Sequence, residues 1–262
     1  MLIPKLIHFI LGFSSEPSER EFFLCHLLAI KSAASLHPEH KIVIWVGQEP
    51  ATNIYWEEAK TLGELIRITP PDQIYGVPLM HYAHKADVTR LQILREHGGI
   101  YLDLDTITVR NFDSIQVSDM AMAPEYNPNV GRLQGLCNAT IIARRNAPFL
   151  GRWLDTYEFF NSRGRDINWE FHSVKMPMIL ARQVPQEIQI LPQDAFFKFD
   201  WSQDGYKNLL EKSVPLDGVY SIHLWESHIY DFLKNMDEEA VMKIRESTYG
   251  RLANKYLSNK RS

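Results

Sequence analysis

Apolar residues run together in some stretches of this chain and return every three or four positions in others, and the two patterns alternate. Residues 5–11 (KLIHFIL) form a continuous apolar run of strand length. Residues 21–38 (EFFLCHLLAIKSAASLHP) show helical spacing that stops at Pro38. A β-branched run at 41–46 (KIVIWV) predicts the second strand. Residues 55–65 (YWEEAKTLGEL) read as helix, 65–69 (LIRIT) as a short strand, and 70–79 (PPDQIYGVPL) as a turn-rich connection. A long helix follows over 81–99 (HYAHKADVTRLQILREHGG), closed by glycines that can take a left-handed cap. It leads directly into a strand at 100–109 (IYLDLDTITV).

The second half is less regular. Residues 138–144 (NATIIAR) predict a strand, and 148–160 and 170–183 predict helices. Residues 219–228 (VYSIHLWESH) read as a late strand entering polar residues, and 237–257 as a finishing helix. Strands alternating with helices imply an α/β fold with a mostly parallel sheet covered on both faces. No repeat, low-complexity tract or linker divides the chain, so residues 1–262 are expected to form one domain whose second half completes the site.

Composition narrows the function. The chain has 262 residues, 45% of them hydrophobic, which is enough for a substantial core. A net charge of -4 argues against nucleic-acid binding, which favours a basic domain. Two cysteines, Cys25 and Cys137, show neither metal spacing nor a disulfide framework, and imply a reducing, cytoplasmic setting. The apolar opening is short, is interrupted by Pro4, Lys5 and His8, and lacks a small-residue cleavage site. No segment is apolar for long enough to span a bilayer. At most, peripheral contact with the inner face of a membrane is expected. Lys255, Lys260 and Arg261 near the end read as an ordinary soluble terminus.

The chemistry concentrates in HGGIYLDLD, residues 97–105. Side chains two apart on a strand share a face. Asp103 and Asp105 would therefore converge on one point, with Leu104 in the core. Two like charges so close call for a positive group between them. Mg²⁺ or Mn²⁺ is commonly held by one or two carboxylates together with substrate phosphates. In an α/β sheet such a ligand sits at the carboxyl ends of strands. No G-x-G-x-x-G or Walker sequence is present, so a cation would have to neutralise a nucleotide's phosphates. The bare tripeptide is a weak signal, and an acidic turn is its plainer reading. Its neighbours change that. Asp87 and Arg90 share a face of the preceding helix, and the Gly98–Gly99 turn lets them converge with Tyr101 and both carboxylates.

In this setting ADVTRLQILREHGGIYLDLDT resembles the signature of the DXD sugar-binding glycosyltransferases. That family includes initiating mannosyltransferases, α1,4-galactosyltransferases, bacterial polysaccharide enzymes and, distantly, clostridial glucosylating toxins. IPKLIHFILG resembles the family's first strand, GLCNATIIAR the region after the metal motif, and IHLWES its late His–Trp segment. The resemblance implies a GT-A-like fold, a UDP- or GDP-sugar donor, Mn²⁺ or Mg²⁺, and transfer of a hexose with retention to a saccharide, lipid-linked or protein acceptor. It implies Asp103, Asp105 and His223 as metal ligands, with Asn138 near the transferred sugar. Asp87, Arg90, Tyr101, Trp225 and Ser227 would meet the donor. Where relatives place a base-stacking Trp, Leu11 stands here, and Phe9 or Phe13 would have to substitute.

Plainer alternatives exist for several of these residues. His223 could be a satisfied core histidine, Trp225 packing, and Asn138 a backbone cap. His81 and His84 lack an H-E-x-x-H context and read as helix surface or site rim. Glu226 and His228 are expected on the acceptor side. A haloacid-dehalogenase-type phosphatase also uses D-x-D, but Ile107 occupies the place of its Thr or Val. An EF-hand loop counted from Asp103 would need an oxygen ligand and a Gly where Ile107 and Thr108 stand. An inactive sugar-binding relative is the third alternative.

Overall fold

The computed structural model describes residues 2–16 and 21–258. Lys260 and Arg261 lie outside the described residues. Strand Leu6–Leu11 sits centrally in a seven-stranded sheet. On one side it pairs in parallel with Lys41–Val46, which pairs in parallel with Glu64–Arg67. On the other it pairs in parallel with Gly99–Leu102. Thr140–Ala143 then runs antiparallel between Gly99–Leu102 and Met120–Met122, and Gln189–Ile190 closes that edge. The sheet is therefore mostly parallel, as the alternation of elements predicts.

Both faces of the sheet are covered, and the strand sequences show why. Ile7, Phe9 and Leu11 point into one apolar cluster with Ile42, Ile44, Val46 and helix Leu24–Leu36. Ile10, Val43 and Trp45 point into the other, against Val88, Leu91 and Leu94 of helix Tyr82–His97. Alternate residues feeding opposite cores explain the unbroken apolar runs.

Several predicted elements are shorter or divided. The 55–65 helix is only Ile54–Ala59, because Glu64 already belongs to a strand. The finishing helix is two, Glu238–Lys243 and Thr248–Leu257, since Ser247 caps the second through Gly250 N–H. The 100–109 strand is broken at the motif itself. It leaves the main sheet at Leu102 and resumes as Thr106–Thr108, which pairs antiparallel with Ser221–His223. A hairpin of Pro124–Asn127 and Arg132–Leu136 went unpredicted.

Gly98 and Gly99 join the long helix to the motif strand, with φ of +66° and +105°. A Cβ on Gly99 would lie 2.5 Å from the Leu6 carbonyl oxygen. Gly99→Ala is therefore expected to cost about 1–3 kcal/mol of stability, read by urea unfolding, from the strained φ and the clash together. A loss below ~0.5 kcal/mol would place the strain elsewhere.

His8 locks the same corner. Its Nδ1 accepts the Trp45 indole N–H at 3.2 Å, so Nε2 carries the proton and donates to the Gly98 carbonyl at 2.8 Å. Burial, opposed by the bond to Gly98, pushes the imidazole down to about 4. The folded state then binds fewer protons than the unfolded chain between pH ~6.5 and ~4. Stability is complete above that window and lost as pH falls through it. His8→Gln is expected to flatten this part of the stability–pH curve; an unchanged slope would assign it to other groups.

Candidate active site

Asp103, Leu104 and Asp105 form a turn between two sheets, closed by the Thr106 N–H donating to the Asp103 carbonyl at 3.0 Å. The expectation that both carboxylates lie on one strand is corrected here. Their convergence comes from the turn, with Asp103 hanging from the main sheet and Asp105 facing the small one. Leu104 is half-buried against the larger core cluster.

Asp103 is held from the helix side. Its Oδ1 accepts the Tyr101 hydroxyl at 2.6 Å and an Arg90 N–H at 2.9 Å. The Arg90 guanidinium lies 4.5 Å over the Tyr101 ring and also donates to the Asn138 carbonyl at 3.0 Å. It stands 3.3 Å from Asp87 Oδ1, and Asn138 Nδ2 donates to that oxygen at 2.7 Å. Asp87, Arg90, Tyr101, Asp103 and Asn138 thus form one network. Arg90, Asp87 and Asn138 are buried. Burial makes Asp87 and Arg90 obligatory partners, since neither charge has water to replace the other.

Asp105 is held from the other side. Its Oδ1 lies 3.0 Å from His223 Nε2, and its Oδ2 accepts the Glu226 N–H at 2.8 Å. Antiparallel pairing sets His223 opposite Thr106, next to the motif. Burial would raise the Asp105 carboxyl, but His223 and the Glu226 N–H outweigh it and hold it at about 2. Burial likewise opposes charge on His223, yet the carboxylate beside it raises the imidazole above its ordinary value. Asp103 goes the other way. Burial lifts it against the pull of Arg90, and the Asp105 charge adds to the lift.

Asp103, Asp105 and His223 each offer a ligand atom, and the three atoms lie within 4.8 Å of one another. Two carboxylates and an imidazole suit a divalent ion such as Mn²⁺. Asp103 Oδ1 and Asp105 Oδ2 are anchored by neighbours, while Asp105 Oδ1 and His223 Nε2, now paired with each other, would both turn to an ion that displaces the proton between them. The donor set therefore fits.

The remaining expected residues divide. Trp225 is buried, donates its indole N–H to the Phe199 carbonyl at 2.8 Å, and packs edge-on to His223 with ring centroids 4.3 Å apart. Its backbone is left-handed, with φ of 57°. This bend lets the chain turn from His223 to present the Glu226 N–H. Ser227 and His228 are exposed in the 3₁₀ turn Glu226–His228. Phe9 is fully buried in the sheet core, and Leu11 and Phe13 are buried as well. The expectation that Phe9 substitutes as the base-stacking ring is corrected, because strand alternation commits it, with Leu11, to the core under helix Leu24–Leu36; Phe13 packs into the other cluster. His81 caps its helix by accepting the Ala83 N–H. His84 is buried against Trp169 and Phe160 and is not surface.

Two nearby groups escape the sequence reading. His26 Nδ1 accepts the Phe23 N–H at 3.0 Å, which leaves its Nε2–H to donate to the Glu226 carboxylate at 3.1 Å. Glu125, on the unpredicted hairpin, is buried and pushed by desolvation up to about 7, against a bond from the Cys137 thiol. Neither lies in a motif, and only long-range packing brings them near.

Comparison with known proteins identifies the family. Residues 26–121 match the family model described as a glycosyltransferase sugar-binding region containing a DXD motif. Over 99% of its length the chain is 32% identical to Glucan organizing enzyme 1 of Cryptococcus neoformans var. grubii, and it covers 72% of that protein. It is 23% identical to Lactosylceramide 4-alpha-galactosyltransferase of Rattus norvegicus, over 83% of this chain and 66% of that one. Among solved structures, the glycosyltransferase GlyE of Streptococcus pneumoniae TIGR4 covers 97% of the chain, which spans 63% of GlyE, at 14% identity and a TM-score of 0.49. Among the described residues, no helix is long and apolar enough to cross a membrane. The phosphatase alternative falls with these relationships. The α/β fold, the clustered carboxylates and a relative shared along nearly the whole chain lead to one conclusion: the protein belongs to the DXD-containing glycosyltransferases, of GT-A-like fold.

Proposed function

We propose that the chain, acting as one domain, transfers a hexose from a UDP- or GDP-sugar to a hydroxyl of a saccharide, glycolipid or protein acceptor. The reaction retains anomeric configuration and depends on Mn²⁺ or Mg²⁺. The observation that carries this reading is the meeting of Asp103, Asp105 and His223 beside the buried Asp87–Arg90–Asn138 network. When bound, the ion neutralises the donor diphosphate and stabilises charge on the leaving group.

The chain's own residues supply orientation. Arg90 and Tyr101 fix Asp103, and the Glu226 N–H fixes Asp105, so on binding only the Asp105–His223 contact gives way. Asp87 and Asn138, locked to each other, form the wall for the sugar. Trp225, Ser227 and the Glu226–His228 turn face the donor and acceptor side. Because both motif carboxylates serve the cation, no covalent nucleophile is assigned. Attack comes from the leaving group's own face. The similarity to a glucan organizing enzyme and a lactosylceramide galactosyltransferase favours a glycan acceptor. Free, buried Cys25 and Cys137 favour a reducing, cytoplasmic workplace with at most peripheral membrane contact.

A panel of nucleotide sugars, scored by thermal shift and slow hydrolysis with and without Mn²⁺, tests the proposal. One donor should raise the melting temperature only with metal. If no nucleotide sugar binds under any cation, the reading fails and an inactive relative takes its place.

A further inference from the structure

The strand pair Thr106–Thr108 and Ser221–His223 buries a polar face. Thr106 stands opposite His223, Ile107 opposite Ile222, and Thr108 opposite Ser221. Opposed residues of an antiparallel pair share a face, as do residues two apart. Ile107 and Ile222 accordingly point together into the larger apolar core. Thr106, Thr108, Ser221 and His223 point together the other way, and all four are buried. Thr106 Oγ1, Thr108 Oγ1, Ser221 Oγ and His223 Nδ1 hydrogen-bond no protein group.

Four orphaned polar atoms on one small face are unusual, because buried polar groups nearly always find partners. Three hydroxyls and a ring nitrogen can hold an ordered water, which wants two to four polar neighbours. The hydroxyls share this face with His223, the imidazole of the cation cluster, whose Nδ1 is the nitrogen not engaged with Asp105. An imidazole that gives one nitrogen to a metal almost always donates its other N–H, and that partner fixes the tautomer. His223 has no carboxylate or carbonyl bonded to Nδ1 to do this.

We propose that Thr106, backed by Thr108 and Ser221, is the positioning residue for His223. Through a water held on this face its hydroxyl accepts the Nδ1–H, so that a cation displacing the proton now shared by Nε2 and Asp105 Oδ1 meets the Nε2 lone pair. The inference rests on the cation reading above and adds the residues that set the orientation and tautomer of its imidazole ligand.

The test is Mn²⁺ affinity by calorimetry for the wild type, Thr106→Val, Thr106→Ser and Asp105→Asn, with ¹⁵N spectra of the histidine side chains in the Mn²⁺-free protein at one pH. Thr106→Val keeps the shape and removes the hydroxyl. It should weaken Mn²⁺ binding roughly 10- to 100-fold and move the His223 Nδ1 resonance. Thr106→Ser should restore both, which separates the hydroxyl's role from any loss of packing. If Asp105→Asn abolishes Mn²⁺ binding while Thr106→Val binds like the wild type, or if the His223 resonances match in the two proteins, the inference is overturned and the cation site stands. A wild type that takes up no Mn²⁺ overturns the cation reading itself, and this role with it.

Discussion

Asp105→Asn is expected to abolish Mn²⁺-dependent donor binding and to lower kcat/KM by at least ~10³-fold, equivalent to about 4 kcal/mol of transition-state stabilisation. The fold should survive. Asparagine is nearly isosteric, and its side-chain oxygen can still accept the Glu226 N–H that Asp105 Oδ2 accepts now. The Asp105 carbonyl also keeps its bond from the Leu224 N–H at 2.9 Å. The substitution removes one of two carboxylates whose mutual repulsion helps lift the Asp103 carboxyl. The substitution also strips His223 of its buried carboxylate partner, so the metal-free variant should melt below the wild type but still fold, while the stabilisation that Mn²⁺ gives the wild type disappears. Melting curves and initial rates with and without Mn²⁺ measure both effects. A variant that retained metal-dependent turnover within ~10-fold would show that Asp105 is structural and that the ion sits elsewhere.

The second large effect is on stability. Arg90→Ala should cost about 3–5 kcal/mol, the range for breaking a buried ion pair from one side. The guanidinium is buried and meets Asp103, Asp87, the Asn138 carbonyl and the Tyr101 ring together. Without it, two carboxylates remain in a low-dielectric site with no positive partner on the helix side. Asp103 responds most, because burial already lifts its carboxyl and Arg90 is the main force pulling it down.

A carboxyl whose folded value lies above its unfolded one costs stability at neutral pH, and that cost shrinks as pH falls through the folded value. The gap between wild type and Arg90→Ala should therefore narrow below neutrality. The double variant Arg90→Met with Asp103→Asn should recover part of the loss, since it removes one of the two stranded charges as well as the arginine and leaves Asp87 to its bond from Asn138. Urea unfolding at pH 7 and pH 5 reads these differences. A loss under ~1 kcal/mol for Arg90→Ala would mean that water, not Arg90, satisfies the carboxylates.

Much of this protein was legible in one dimension. The apolar runs at Leu6–Leu11 and Lys41–Val46, the helix Tyr82–His97 and its double-glycine exit are local patterns, and the structure keeps them nearly residue for residue. Asp87 and Arg90 share a helix face by period alone, so their convergence on the motif strand followed once Gly98 and Gly99 turned the chain back. The family signature reads from the same stretch because its parts are close in sequence.

What tertiary structure decided lies at long range. The sequence predicts a sheet covered on both faces but not which cluster each side chain joins, and here Phe9 and Leu11 both turn to the core under helix Leu24–Leu36. The motif looked like one strand, yet pairing with Ser221–His223 pulls Thr106–Thr108 into a second sheet and opens the turn that carries both aspartates. More than a hundred residues separate His223 from Asp105, and only that pairing places the imidazole 3.0 Å from the carboxylate. His26, Glu125 and the buried hydroxyls that share a face with His223 carry no local signal at all. Local physics wrote the strands, the long helix and the acidic turn, whereas burial and cross-strand pairing chose the partners that turn a common tripeptide into a site.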